Sequence, residues 1–294
     1  MNILYCGDNN IKDGLIISIL SLIKHTNEEL NIYVFTMKYD KYKPLSKDVI
    51  KILDKKLKEK NKNSKIQLID ITNIVMNFLP TANLSTRFTP YCMLRLFADK
   101  VDNIPNKILY LDNDVVALKD FSELYNLDIT NYDIAGVFDY YGSHIYRKKI
   151  LRRDYLNSGV LLMNLERIKD NNLFEKCRIR CRDKEMLLPD QEAINTYCSK
   201  YQNFVNSINS KHRIFIISVN PVDDNRSPYV KNSDIASFNK KIKSCVSGSN
   251  VHYCDVNSAA SLSTWISSYI SDGIHYNRSG YSFIYNQISK CMGK

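Results

Sequence analysis

The sequence predicts a layered α/β protein, and three observations predict it. Short apolar runs, such as residues 3–6 and 32–35, alternate with stretches whose apolar residues recur at helical spacing. Leu15, Ile16, Ile19, Leu20, Leu22 and Ile23 are the clearest of these stretches. That alternation is what a sheet covered by helices requires. The chain has 294 residues, enough for one large domain or two small ones. Its apolar fraction of 44% is ordinary for a globular protein, and no run is long and apolar enough to span a bilayer.

In order, residues 3–6 read as a strand, 15–23 as a helix and 32–35 as a second strand. Ser46 is an N-cap for a helix through about residue 58. Residues 66–69 form a third strand, 91–99 a helix and 107–111 a fourth strand ending in Asp112-Asn113-Asp114. Strands at 134–138 and 159–165 and helices at 173–183 and 191–197 continue the series. Beyond about residue 200 the motif content shifts. There, 213–219 and 251–254 read as strands, and 234–245, the stretch around Trp265 and 281–291 as helices, with a loop at 272–280. No Pro- or Gly-rich linker marks the change, so residues 1–200 and 201–294 are separated by character alone.

The net charge of +10 would suit nucleic acid, an anionic membrane or a phosphorylated substrate. It is not gathered into one block, and the densest run, 55–65, reads as a solvated helix end. No nucleic-acid motif is present. The start lacks the basic, apolar and cleavage segments of a secretory signal. The eight cysteines lack metal-finger spacing; Cys177 and Cys181, four apart, share a helix face. Reduced thiols in the cytoplasm are the expectation.

Residues 108–111 are Ile-Leu-Tyr-Leu, an interior strand, and two carboxylates follow at its C-terminal end with one residue between them. Open α/β sheets bind ligands outside the carboxyl ends of their strands. A hard divalent cation takes oxygen ligands and commonly bridges carboxylates to phosphates. Asp112 and Asp114 can hold such an ion against a diphosphate, where it acts as Lewis acid and template. A plain acidic turn is the competing reading.

The segment Lys107-Ile108-Leu109-Tyr110-Leu111-Asp112-Asn113-Asp114-Val115 resembles the metal-binding segment of the retaining glycosyltransferases of family 8. Further segments in the right order carry the resemblance from residue 1 to about 200. It implies a GT-A-type, Rossmann-like mixed sheet flanked by helices, with an α/β C-terminal segment. Leu4-Tyr5-Cys6-Gly7-Asp8-Asn9-Asn10 is similar to the first strand and uridine loop, which places Cys6, Asp8 and Asn10 at the nucleotide. Thr89-Pro90-Tyr91-Cys92-Met93-Leu94-Arg95-Leu96-Phe97 looks like the helix before the metal strand, with Arg95 as its nucleotide-facing residue. Asn157, in Tyr155-Leu156-Asn157-Ser158-Gly159, corresponds to a sugar-contacting position. Pro189-Asp190-Gln191-Glu192 matches the loop beneath the donor sugar. There Asp190 would bind sugar hydroxyls and Gln191 would lie near the anomeric carbon. The resemblance implies Mn2+ or Mg2+ held by Asp112 and Asp114, a UDP-sugar donor contacting Asn113 as well, and a glycan or glycolipid acceptor. It also implies retention of the donor configuration.

The tail departs from the family. His252 is the candidate for its third metal ligand, but Asp255 stands where Gly is expected and no Lys-Pro-Trp follows. Residues 214–221 and Asp272-Gly273-Ile274-His275 resemble instead the last part of SGNH-type ester hydrolases, whose Asp-x-x-His segment supplies the base and its orienter. The serine nucleophile has no counterpart, since Asn9 occupies the comparable strand end. A hexosyltransferase, active in the cytoplasm or at the inner membrane face, is therefore the leading expectation. An esterase using Asp272 and His275 comes second, and a non-catalytic nucleotide-sugar binder third.

Overall fold

The computed structural model describes residues 1–84, 89–139, 155–203, 214–227, 231–245 and 251–293. Met1–Ile208 and Asn209–Lys294 form two compact units. Seven strands build the sheet of the first: β1 (Asn2–Cys6), β2 (Asn31–Thr36), β3 (Lys65–Asp70), β4 (Lys107–Leu111), β5 (Ile134–Phe138), β6 (Leu156–Asn164) and β7 (Tyr201–Asn203). Their order is β3-β2-β1-β4-β6-β5-β7. β1 runs parallel to β2 and β4, whereas β6 is antiparallel to both β4 and β5. The sheet is thus mixed, as a GT-A-type fold requires.

Successive strand residues point to opposite faces, and the core divides accordingly. Leu4, Cys6, Phe35, Ile108, Tyr110 and Met163 belong to one cluster; Ile3, Tyr5, Ile32, Val34, Leu109 and Leu162 belong to the other. Both faces are apolar, so the inner strands read as continuous apolar runs. Helix α1 (Lys12–His25) and helix α2 (Lys47–Lys60) cover the second face through Leu15, Ile19, Leu22, Leu53 and Leu57. Each such side chain contributes about 1.5–3 kcal/mol relative to exposure. Ser46 caps α2, its side chain accepting from the Asp48 N–H.

The first face is covered by a 3-10 helix, Pro90–Lys100, and by α6 (Leu173–Asp183) and α7 (Pro189–Tyr197), after the short helices α3 (Thr72–Met76), α4 (Ser122–Asn126) and α5 (Leu165–Asp170). The tighter 3-10 winding of residues 90–100 differs from the α-helix expected there. Tyr91, Leu94 and Phe97 recur every third residue and all enter the core, which a three-residue turn stacks in line.

In the second unit β8 (Ile214–Ile217) pairs with β9 (Val251–Cys254) in parallel; Arg213, read as the start of that strand, lies outside the described residues. Helix α8 (Asn232–Cys245) precedes β9. Trp265 opens a π-turn, Trp265–Tyr269, and is fully buried against Tyr269, Tyr276 and Phe283. The closing helix α9 (Arg278–Cys291) starts three residues earlier than the apolar spacing indicates, because the Asn277 side chain accepts from the Gly280 N–H and caps it.

The expectation of reduced thiols is corrected here. Cys254, ending β9, and Cys291, ending α9, form a disulfide with their Cα atoms 5.8 Å apart. Cys6, Cys92, Cys177, Cys181 and Cys198 stand outside any disulfide. The core of this unit is small, centred on Val256, Trp265 and Ile270, so a staple matters more than in the first unit. Reduction is expected to destabilise it by about 2–4 kcal/mol. Calorimetry with and without a reductant checks this, and a second unit that melts identically in both would rule it out.

Candidate functional site

The site lies where β1 and β4 end. β6 enters at the same edge because it runs the opposite way, and its first residues therefore face the ends of the parallel strands. The Asp112 N–H donates to Gly159 O at 2.8 Å, closing the ladder. The Asp112 carboxylate takes both of its hydrogen bonds on one oxygen, Oδ1, from the Tyr110 hydroxyl at 2.6 Å and Arg95 Nη2 at 3.0 Å. Oδ2 stands over Gly159, where a Cβ would lie only 2.8 Å from it and 3.0 Å from Asn157 Oδ1. The absence of a Cβ at 159 permits this close approach. Gly14 does the same service beneath the turn, since a Cβ there would meet Asn113 O at 2.8 Å. Asn113 Nδ2 donates to Cys6 O at 3.3 Å and ties the turn to β1. Asp114 is exposed.

Gly159→Ala is therefore expected to push Asp112 and Asn157 apart, at about 1–3 kcal/mol for an overpacked position, and to weaken whatever Asp112 binds. Urea unfolding and ligand titration of the variant test this; wild-type values in both would mean that the neighbours yield freely.

Arg95 is buried, with all three guanidinium nitrogens engaged by the protein. Nε donates to Cys92 O at 2.9 Å, Nη1 to Ser158 O and Nη2 to Asp112. The guanidinium also lies 3.9 Å from the Tyr110 ring centre. Burial works against its charge, but the carboxylates of Asp190 and Asp112 outweigh burial and raise its pKa further. Burial pushes the Tyr110 phenol and the Cys6 thiol upward, so both stay protonated.

Asp190 begins α7 and is buried. Its Oδ2 lies 3.4 Å from Arg95 Nε, close enough for an ion pair, yet no aligned hydrogen bond reaches that oxygen. Asn113 Oδ1 is likewise buried without a partner. Buried acceptors without donors are uncommon and cost about 1–3 kcal/mol, so these two oxygens are suited to hydroxyl or N–H groups of a ligand. Gln191 joins the site from α7: its Oε1 accepts from the Ser158 N–H at 2.9 Å, and its Nε2 donates to Asp139 at 2.9 Å. Asn157 Oδ1 accepts from the Gly159 N–H at 2.8 Å. Asp8 lies two residues beyond β1 with its carboxylate bonded to Asn10, backbone N at 3.2 Å and Nδ2 at 2.8 Å.

The structure thus brings Cys6, Arg95, Asp112, Asn113, Asn157, Asp190 and Gln191 into one connected network, with Asp8 and Asn10 at the adjoining strand end. Sequence reading assigned no role to Tyr110, Ser158 and Asn195, which lie inside the recognised segments, and missed Asp139, which directly follows the strand read at 134–138. The sequence profile of glycosyl transferase family 8 matches residues 2–220. The chain belongs to that family. Family relatives include an Escherichia coli lipopolysaccharide 1,2-glucosyltransferase, 29% identical over 66% of this chain and 57% of that one. A Haemophilus influenzae protein is 30% identical over 70% of this chain and 62% of its own length. The chain therefore spans about three fifths of the length of these curated relatives. Among solved structures, the galactosyltransferase LgtC with donor and acceptor sugar analogs superposes with TM-score 0.60 at 19% identity, covering 87% of each chain. The apo WbbM bifunctional glycosyltransferase gives 0.61 at 17%, covering 98% of this chain and 49% of that one. These likenesses show a shared fold.

The remaining candidates lie in the second unit. His252 stacks on Phe215, ring centres 5.1 Å apart and 25° from parallel. Asp272 and His275 do pair, Oδ2 to Nδ1 at 2.7 Å, on the surface. Asp272 Oδ1 takes the His275 and Ile274 backbone N–H groups at 2.8 and 3.1 Å, so the pair also closes a turn. Bonds from the His275 backbone and ring hold the Asp272 carboxyl down to about 2. The family 8 match ends at residue 220, and the hydrolase likeness of the tail, read from residues 214–221 and the Asp272–His275 segment, finds no support in these comparisons.

Proposed function

We propose that the protein transfers glucose or galactose from a UDP-sugar to a hydroxyl of a glycan or lipopolysaccharide, with retention of configuration. The observation that carries the reading is the joined network at the strand ends. There Asp112 Oδ2 and the oxygens of Asp190 and Asn113 that no aligned hydrogen bond reaches belong to one polar network within an apolar surround. The oxygen-rich donor set of Asp112 and Asp114 fits Mn2+ or Mg2+. Among the described residues no group of three His, Cys, Asp or Glu side chains could hold a metal ion, so the donor phosphates would complete the set. Such an ion neutralises the charge developing on a departing diphosphate.

The protein's own residues position and discriminate. Asp190 Oδ2 would accept a sugar hydroxyl, and such bonds set sugar specificity. Arg95 braces Asp112 and Asp190 in fixed relation, a preorganised charge arrangement. Gln191 carries an amide, too weakly basic for a strong nucleophile, and orients the reacting centre instead. The acceptor hydroxyl would lose its proton to the leaving phosphate. The net charge of +10 suits an anionic glycolipid acceptor at the inner membrane face; no helix among the described residues is long and apolar enough to cross the bilayer.

The test is UDP release with manganese across a panel of UDP-sugars. Release from one UDP-hexose, increased by an acceptor, is expected. Binding without release would leave a nucleotide-sugar binder, and the absence of both would end the proposal.

A further inference from the structure

Gln191 has both ends of its side-chain amide fixed by the protein. Its Oε1 accepts from the Ser158 N–H at 2.9 Å and lies 3.4 Å from Ser158 Oγ, while its Nε2 donates to Asp139 Oδ2 at 2.9 Å. A backbone N–H cannot accept, and an ionised carboxylate cannot donate. Only one orientation of the amide satisfies both partners. Asp139 is fixed in turn, because its own N–H donates to Tyr155 O at 2.6 Å just beyond β5. The main chain of Gln191 is held from one turn away. Asn195 Nδ2 donates to Gln191 O and to Leu156 O, both at 2.8 Å, and Asn195 Oδ1 accepts from the Leu156 N–H at 2.6 Å. Gln191 and Asn195 therefore pair with Ser158 and Leu156 much as a neighbouring strand would.

We propose that Asp139 is a positioning residue: it fixes which atom of the Gln191 amide faces which way. On the UDP-sugar reading above, this presents the second N–H of the amide to the donor sugar. Asp139 touches no substrate in this scheme and acts through Gln191. The other charges nearby are committed elsewhere, Asp190 to Arg95 at 3.4 Å and Glu192 to Arg180 at 3.3 Å. Asp139 is thus the carboxylate to which the Gln191 amide responds.

Gln191→Glu probes the lock. Glutamate still accepts from Ser158 but sets a carboxylate against Asp139. Two carboxylates so close cannot both ionise, and the pair retains a proton. The shared-proton form reproduces the donor-to-carboxylate bond of the amide. The pair's pKa is raised, so the bond is present at lower pH and is lost as pH rises through that raised value. Adding Asp139→Asn to Gln191→Glu supplies an amide N–H from the other side and restores the bond, with polarity reversed, at every pH.

Melting temperature and kcat/KM for UDP release would be measured for wild type, Gln191→Glu and the double variant, in mildly acidic and mildly alkaline buffer. Relative to wild type, Gln191→Glu is expected to melt lower in alkaline than in acidic buffer, and its kcat/KM is expected to stay below wild type in both because a glutamate has no second N–H for the sugar. The double variant is expected to lose that pH dependence of melting. The lock is overturned if Gln191→Glu follows the wild-type pH profile, or if the double variant keeps the profile of Gln191→Glu. Should wild type release no UDP from any UDP-hexose, the donor reading falls, and the melting profiles still decide the lock.

Discussion

Asp112→Asn is expected to abolish the joint rise in melting temperature produced by manganese and UDP, and to lower UDP release on the order of a hundredfold or more, the scale on which loss of one preorganised electrostatic element acts. The fold survives, because the asparagine oxygen can still accept from Tyr110 and Arg95, which reach a single carboxylate oxygen in the native site. What disappears is the charge of the second oxygen, the one standing over Gly159. The buried Arg95 keeps Asp190 as its remaining counter-charge, so the stability cost is about 1–3 kcal/mol. Melting curves with and without the two ligands test the variant, and a full wild-type rise would remove Asp112 from the donor site.

Asp99→Ala should be the more severe change for folding. Arg178, on α6, grips both oxygens of Asp99 at 2.5 and 3.0 Å and also donates to Leu96 O, with side-chain exposures of 2% for Arg178 and 7% for Asp99. Removing one partner strands the other charge, at about 3–5 kcal/mol. The loss falls on the 3-10 helix that also carries Arg95, so donor binding declines with stability. Asp99→Leu combined with Arg178→Met removes both charges and is expected to recover much of the loss. Urea midpoints of the two variants decide this; equal destabilisation would show that the ion pair contributes packing rather than charge balance.

Much of the first unit was legible in the sequence. The apolar runs of β1, β2 and β4 announce themselves because both faces of the sheet are covered, and Asp112 and Asp114 stand out because carboxylates directly follow such a run. The direction of β6 was not legible, since an apolar strand reads the same in either sense. Nor was the 3-10 winding of residues 90–100, which are buried on nearly every side and so show no polar phase. Asp139 and Asn195 act through hydrogen bonds spanning 52 and 39 residues of chain, and no local pattern encodes a partner so distant. The disulfide escaped for the same reason, its cysteines being 37 residues apart.

Helix α7 brings Asp190, Gln191 and Asn195 to a sheet whose strands β1 to β6 all precede it in the chain. A ribosome-bound chain that has emerged only through β6 has Asp112 and Arg95 in hand. It lacks the second counter-charge for Arg95 and the side chains that pair with Leu156 and Ser158. Translation must deliver nearly the whole first unit before the proposed donor site can close, which would make sugar-nucleotide binding, on that proposal, a late event in the synthesis of this protein.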